Sequence, residues 1–243
     1  MLNNFDKYYD LIFADKNYKK EVSYILKKTK KIRIKKILDI GCGTGTHANL
    51  IHKSIKKKII GLDKNKKLIG IAKKKNNDIN FKNVYLKKIN EKNFELIISM
   101  FNVVNYFKDY KKLILFFKEV KKKTTKNSLF IFDSWNGSFN FKKKIVKEKR
   151  TVKRKDFFLI NQIKSTKKLH SNKILLNYKI LINFFEKNKK INIKHQLIQF
   201  LWKPDEIKKA LILAGFNSVL INKSFSDTVF GKNDLKIIFL AKS

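Results

Sequence analysis

The sequence predicts an α/β fold, with a mostly parallel sheet of seven strands covered by helices on both faces. Three observations carry this. Short apolar runs alternate with amphipathic stretches from residue 36 to residue 133, the signature of strand–helix–strand units. The runs are continuously apolar, as strands buried on both faces require. The first run ends in a dense glycine cluster, Asp39-Ile40-Gly41-Cys42-Gly43-Thr44-Gly45, of the kind that joins a strand to a helix beside a ligand.

The elements follow in order. Residues 15 to 31 read as a helix, with Val22, Tyr24, Ile25 and Leu26 on its apolar side. Residues 36 to 40 are the first strand, and a helix runs from about Thr46 to Ile55. Lys58 to Asp63 is a second strand ending in an acid, and Asn65 can cap the helix that follows. Val84 to Leu86 is expected to be a third strand and Phe94 to Ser99 a fourth. Leu113, Phe116, Phe117 and Val120 recur at helical spacing within residues 109 to 122. Ser128 to Asp133 is the fifth strand.

The pattern then changes. Asp156 to Asn161, Lys173 to Ile182 and Ile191 to Ile198 read as antiparallel strands, with turns expected at 164 to 173 and 186 to 190. An insertion of this size is too long for a bare loop. Pro204-Asp205-Glu206 suits the first turn of a helix that Gly215 stops. Two closing strands are expected near 218 to 222 and 234 to 241.

Composition narrows the function. At 243 residues and 43% hydrophobic, the chain holds enough apolar material for a full core. No run approaches the ~20 apolar residues of a membrane span. The N-terminus has acids where a signal peptide needs a basic and then an apolar segment, so a cytoplasmic location is expected. Cys42 is the single cysteine, and no residues have metal-ligand spacing. The net charge of +39 has two readings. One is a polyanionic partner such as nucleic acid. The other is compositional: Arg33, Arg150 and Arg154 are the only arginines, and the lysines are spread along the chain among many Asn, Ile and Phe, as an AT-rich coding sequence yields. Specific nucleic-acid readers favour arginine, so nucleic acid is the lesser reading.

The glycine cluster is the main chemical signal. Three of the eight glycines fall within five residues, where glycine permits a tight turn and close ligand approach. The following helix N-terminus can receive an anion. Asp63 closes the second strand, where an acid can hold a ribose; alone it would read as a solvated surface acid.

Ile37-Leu38-Asp39-Ile40-Gly41-Cys42-Gly43-Thr44-Gly45-Thr46-His47 resembles motif I of class I S-adenosylmethionine-dependent methyltransferases. Further likeness runs through Tyr9 to Phe13, Asp15 to Glu21, Ser99 to Tyr106, Phe130 to Gly137, and Phe200 to Glu206 with Ala214 to Phe216. These segments are similar to a branch that includes sugar N,N-dimethyltransferases and enzymes encoded with surface-polysaccharide genes. The resemblance implies a Rossmann-like sheet whose last strand is antiparallel, carrying an antiparallel β insertion between the fifth strand and the last helix. It implies one methyltransferase domain over 1–243: an N-terminal helical lid (1–31), a cofactor core (32–135), a substrate insertion (136–200) and a core completion (201–243).

The resemblance also implies roles. S-adenosylmethionine would be held by Asp39, Gly41, Gly43 and Gly45 at its methionine end and by Asp63 at its ribose. Tyr9 and Tyr18 would close over it, and Met100 would lie beside the adenosine or sulfonium. Simple packing is the bland alternative for both tyrosines and for Met100. Relatives carry Gly-Asp after strand three, where this chain has Lys87-Lys88-Ile89-Asn90, leaving Asn90 as a stand-in toward adenine. Tyr106 stands where amino-sugar enzymes place a histidine near the acceptor, and Asn17 where an acid is commoner. Tyr106, His195 and Asp133 are the polar candidates for catalysis, with Tyr106 first. Trp135 and Trp202 are candidates for the acceptor wall, or equally for the core. The expected reaction is methyl transfer to an amino or hydroxyl group of a small polar acceptor, such as a nucleotide-linked sugar. An RNA or protein methyltransferase, or a non-catalytic cofactor-binding module, are the other readings.

Overall fold

The computed structural model describes residues 5–139, 146–153, 157–169, 173–186 and 189–243, with side chains described for 5–139 and 193–243. The chain forms two compact units, one from residues 1–14 and 140–201, the other from residues 15–139 and 202–243.

The larger unit carries the predicted sheet. Its strands are β1 (Lys36–Ile40), β2 (Lys58–Leu62), β3 (Asn80–Lys82), β4 (Phe94–Ser99), β5 (Thr124–Trp135), β10 (Ser218–Lys223) and β11 (Lys236–Lys242). The order is β10-β11-β5-β4-β1-β2-β3. β1 pairs parallel with both β2 and β4, and β11 alone runs opposite to the rest. The order therefore reverses between β1 and β4, which opens a crevice at the carboxyl edge where such sheets bind ligands.

Successive residues of each central strand serve opposite faces. Leu38, Ile97, Phe130, Phe132 and Phe239 point to one core layer, with α5 (Tyr110–Lys121) and α6 (Pro204–Leu213). Ile37, Leu96, Ile98, Ile131 and Ile238 point to the other, with α2 (Tyr18–Lys28), α3 (Thr46–Ile55) and α4 (Lys66–Lys75). Both faces are dry, which is why these strands carry continuous apolar runs rather than alternating polar and apolar residues. Helices α2, α4 and α5 begin at side-chain caps: Asn17 accepts from the Lys20 amide at 2.9 Å, Asn65 from the Lys67 amide at 2.9 Å, and Asp109 from the Lys112 amide at 3.1 Å.

The third strand differs from expectation. It is Asn80–Lys82, three residues pairing with Ile60 to Leu62, and not Val84 to Leu86. Phe81 alone points inward from this short edge strand, so its sequence carries almost no apolar signal. Leu86 is buried from a 3₁₀ turn, Leu86–Lys88, while Tyr85 is exposed. β5 also begins four residues before its apolar run.

The smaller unit is a four-stranded antiparallel meander in the order β6-β7-β8-β9. Its strands are β6 (Val146–Lys153), β7 (Phe157–Leu169), β8 (Lys173–Glu186) and β9 (Lys189–Leu201). The lysine-rich β6 was not expected, and β7 continues through most of the segment read as a turn. The remainder of that turn, 170–172, and residues 187–188 of the second lie outside the described residues, as does Asp156 at the start of the first expected strand. α1 (Tyr9–Ile12) belongs to this unit, where Phe5, Tyr8 and Ile12 form a small core with Ile193.

The aromatic layer gives a direct test of packing. Phe117 is fully buried and lies 5.5 Å from the Phe132 ring, which stacks on Phe239 at 4.8 Å. Phe117→Ala should cost about 3–5 kcal/mol and lower the melting temperature by roughly 6–20 °C in a calorimetric scan. Leu115→Ala on the exposed side of the same helix should leave the transition within about 2 °C.

Candidate ligand site at the carboxyl edge of the sheet

The loop after β1 is left-handed at three positions. Gly41, Gly43 and Gly45 have φ of 74°, 56° and 75°, a region that costs side-chain-bearing residues energy. Sterics reinforce this at two of them. A Cβ on Gly41 would meet Val103 Cγ2 at 2.7 Å, and one on Gly45 would meet Phe81 Cζ at 2.5 Å. The Gly41 and Cys42 amides both donate to the Leu62 carbonyl, at 2.8 and 2.9 Å. The loop is thus bound to the end of β2 and feeds directly into α3.

Asp63 faces this loop. Its Oδ2 accepts from the Gly43 amide at 2.9 Å and its Oδ1 from the Asn65 amide at 2.8 Å. Asp39 lies at the end of β1 and is fully buried. Its Oδ2 has no hydrogen-bond partner among the described residues. Burial, then the nearby Asp63 charge, push its pKa up to about 8, against a hydrogen bond from the Ala48 amide. A buried carboxylate without a full complement of donors is costly. Such a group has capacity for a cationic or donor-rich ligand.

The loop after β4 forms the second wall. Met100 is buried at its start. Phe101 and Asn102 then take φ of 74° and 59°, a strained conformation of the sort found at functional sites. Asp133, at the end of β5, holds it: its Oδ1 accepts from the Asn102 amide at 2.9 Å. Burial raises the Asp133 pKa, while Lys236 and Lys16 oppose that rise. Asp133 is therefore a positioning group here. Val103, which fills the space over Gly41, comes from the same loop. Tyr106 ends it and is 41% exposed, with the Lys64 ammonium 5.8 Å from its ring.

A polar cluster that the sequence reading gave no chemistry stands at the N-terminal turn of α3. His47 Nε2 lies 2.7 Å from Glu21 Oε2, and Lys16 is ion-paired to the same oxygen. Burial pushes the Glu21 pKa up, but the His47 hydrogen bond and the Lys16 charge outweigh it and the net shift is down. Glu21 and His47 are 26 residues apart, and no local pattern announces their pairing.

The structure gathers Tyr18, Asp39, Gly41, Gly43, Gly45, Asp63, Met100, Tyr106 and Trp135 in the larger unit. Tyr18 packs edge-on to His47, with centroids 5.0 Å apart. Trp135 is buried at the end of β5, under the Lys236 ammonium at 4.9 Å. Trp202 is a core residue, its Nε1 donating to the Phe107 carbonyl at 3.1 Å. Asn90 is exposed. Tyr9 and His195 belong to the smaller unit. There Tyr9 packs against Phe13 at 4.8 Å, and the His195 ring stacks on Phe5 at 3.6 Å. Burial lowers the His195 pKa, with Asp6 opposing.

Comparison with known proteins agrees with this geometry. Residues 33–200 match the model of a family described as a methyltransferase domain. No curated protein matches the chain by sequence. Among solved structures, an S-adenosylmethionine-dependent methyltransferase from Clostridium acetobutylicum superposes with a TM-score of 0.80 at 20% identity, covering 97% of this chain and 96% of that one. DesVI of Streptomyces venezuelae gives 0.80 at 18% identity over 97% and 96%. The sugar N-methyltransferase KedS8 of a Streptoalloteichus species gives 0.79 at 12% over 96% and 92%.

The raised pKa of Asp39 has a measurable consequence. Folded Asp39 keeps its proton until about pH 8, whereas an unfolded aspartate releases it near pH ~3.9. The unfolded chain thus binds fewer protons between these values, and this residue's contribution to stability falls as pH rises through that window. Asp39→Asn, which stays neutral, should raise the melting temperature of the ligand-free protein at pH 8.5. The gain should exceed that at pH 4.5 by about 5 °C or more. A pH-independent difference between the two proteins would contradict the buried, protonated carboxyl.

Proposed function

The chain belongs to the methyltransferase-domain family and has the fold of S-adenosylmethionine-dependent enzymes, and we propose that it moves a methyl group from that donor to an amino or hydroxyl group of a small polar acceptor. One observation carries the proposal. Three left-handed glycines, a half-buried Asp63 and an incompletely bonded Asp39 converge at the crevice between β1 and β4. The donor set fits the cofactor. Asp39, a buried carboxyl protonated below about pH 8, would give up its proton to pair with the positively charged methionine end, and Asp63 offers carboxylate lone pairs to the ribose hydroxyls. The glycine loop lets backbone amides approach closely. Tyr18 and Met100 complete the same pocket.

When bound, S-adenosylmethionine supplies a methyl group already activated on a sulfonium. The protein then has to align the acceptor and exclude water. Tyr106 is assigned the acceptor: its exposed phenol, at the end of the β4 loop, orients the nucleophile by a hydrogen bond and relays its proton. Trp135 forms the wall behind it. His195 belongs to the smaller unit, stacked on Phe5, and takes no role in this proposal. We place the acceptor among nucleotide-linked sugars, on the likeness to a structure described as a sugar N-methyltransferase. The protein is placed in the cytoplasm; no helix among its described residues is long and apolar enough to cross a membrane. The net charge of +39 supports a second reading, RNA or protein as acceptor.

Calorimetric titration tests the donor. Wild type should bind S-adenosylmethionine and S-adenosylhomocysteine with Kd of about 1–100 µM. Asp63→Ala should weaken both about 10- to 100-fold, the loss of charge-assisted hydrogen bonds. Folded wild-type protein that binds neither compound defeats the proposal. Incubating the loaded enzyme with amino- and hydroxyl-sugar nucleotides should then give a product heavier by one or more methyl groups. Transfer into RNA instead, lost as salt rises, would move the assignment to the second reading.

A further inference from the structure

We propose that Lys16 selects the amino-acid end of the donor, its ammonium taking the α-carboxylate while Asp39 takes the α-ammonium. The inference rests on S-adenosylmethionine being the donor.

Lys16 lies just before α2, and its side chain is only 11% exposed. Three aromatic faces surround the ammonium: Tyr18 at 4.7 Å, Phe101 at 5.2 Å and Phe225 at 5.8 Å from the ring centroids. These rings come from α2, from the strained loop after β4, and from the β10–β11 connection. An ammonium has three N–H donors. Glu21 takes one of them and is shared with His47. Ring faces attract the charge but do not replace a hydrogen-bond acceptor. Holding a lysine head in such a place costs desolvation that apolar packing would avoid. A second carboxylate would meet that demand.

The location matches. Glu21, which anchors Lys16, is bonded to His47 in the first turn of α3. The adjacent residue, Ala48, donates its amide to Asp39. A buried cation with donor capacity and a buried carboxyl with acceptor capacity are therefore both tied to one helical turn, the one that follows the glycine loop. A cation and an ionisable carboxyl in that relation complement a zwitterion, whose ammonium favours the carboxylate form. Lys16 also lies over Phe101, the neighbour of Met100, so the α-carboxylate would lie against the loop after β4.

Three ligands separate this from a structural role: S-adenosylhomocysteine, its decarboxylated analogue, and 5′-methylthioadenosine, which lacks the amino-acid end. Calorimetry with wild type should show S-adenosylhomocysteine binding about 10- to 100-fold more tightly than the decarboxylated analogue. Lys16→Met should abolish that ratio. It should weaken S-adenosylhomocysteine by the same factor and leave the other two ligands within about threefold. Equal weakening of all three ligands, or of none, would overturn the assignment. Should Lys16→Met fail to fold, Lys16→Gln is read by the same ratio. Wild type that binds no adenosyl ligand would instead defeat the donor assignment itself. A ratio that survives in the variant would remove Lys16 alone and leave the donor standing.

Discussion

The left-handed turn after β1 is the constraint on which the rest of the site depends. Its three glycines let the chain reverse within five residues and enter α3 at the sheet edge. The space their missing side chains leave is used. Val103 descends onto Gly41 from the β4 loop, and Phe81 reaches Gly45 and Gly61 from β3. Neighbouring strands are therefore locked to the turn from both sides. An alanine at Gly45 would meet both an unfavourable φ and an aromatic ring. The turn proposed as the ligand cradle is also the joint that fixes β2, β3 and the β4 loop around β1.

Electrostatics at this edge run against stability and toward binding. Asp39 and Asp133 are buried carboxyls with raised pKa values, and Glu21 and Lys16 are a nearly buried ion pair. Buried ionic groups usually contribute little net stability, and apolar replacements often do better. Asp133 offsets its own burial by holding the Asn102 amide, which preserves the strained Phe101–Asn102 bend. Asp39 has a single amide donor and an oxygen left over. A site of this kind is relieved when a ligand supplies the missing partners, so ligand binding and folding stability are linked.

The sheet was legible because double-sided burial writes continuous apolar runs at β1, β2, β4 and the core of β5. The caps at Asn65 and Asp109 are equally local. β3 was missed because an edge strand with one inward residue, Phe81, leaves no periodic signal. β6 was missed because Val146–Lys153 is mostly charged, and alternation is hidden when long polar side chains dominate. The glycine loop and Asp63 stand out in the sequence because the turn between strand and helix depends on order and spacing. Lys16, Glu21 and His47 depend on α2 crossing over the start of α3, a tertiary fact with no counterpart in the linear sequence. Tyr9 falls in the smaller unit and Tyr18 in the larger, the division lying after Ala14.

The chain as a whole is strongly basic while the site gathers carboxyl groups, and this bears on how a reaction is fed. Asp39, Asp63, Asp133 and Glu21 are four of the chain's 19 acids, and they crowd one edge of one sheet. Lys16 and Lys236 balance them only in part. A cationic donor would meet a carboxyl-rich pocket at close range, where the local groups dominate. The surrounding surface, at a net +39, acts at longer range. It would repel the donor weakly and attract an acceptor carried on a diphosphate, because fields of this sign raise the encounter rate of anions. The same excess of lysine that an AT-rich sequence yields thus suits a nucleotide-linked acceptor without requiring a nucleic acid. On this reading the lysines set how fast the acceptor arrives, while the acids and glycines at the sheet edge determine what is bound.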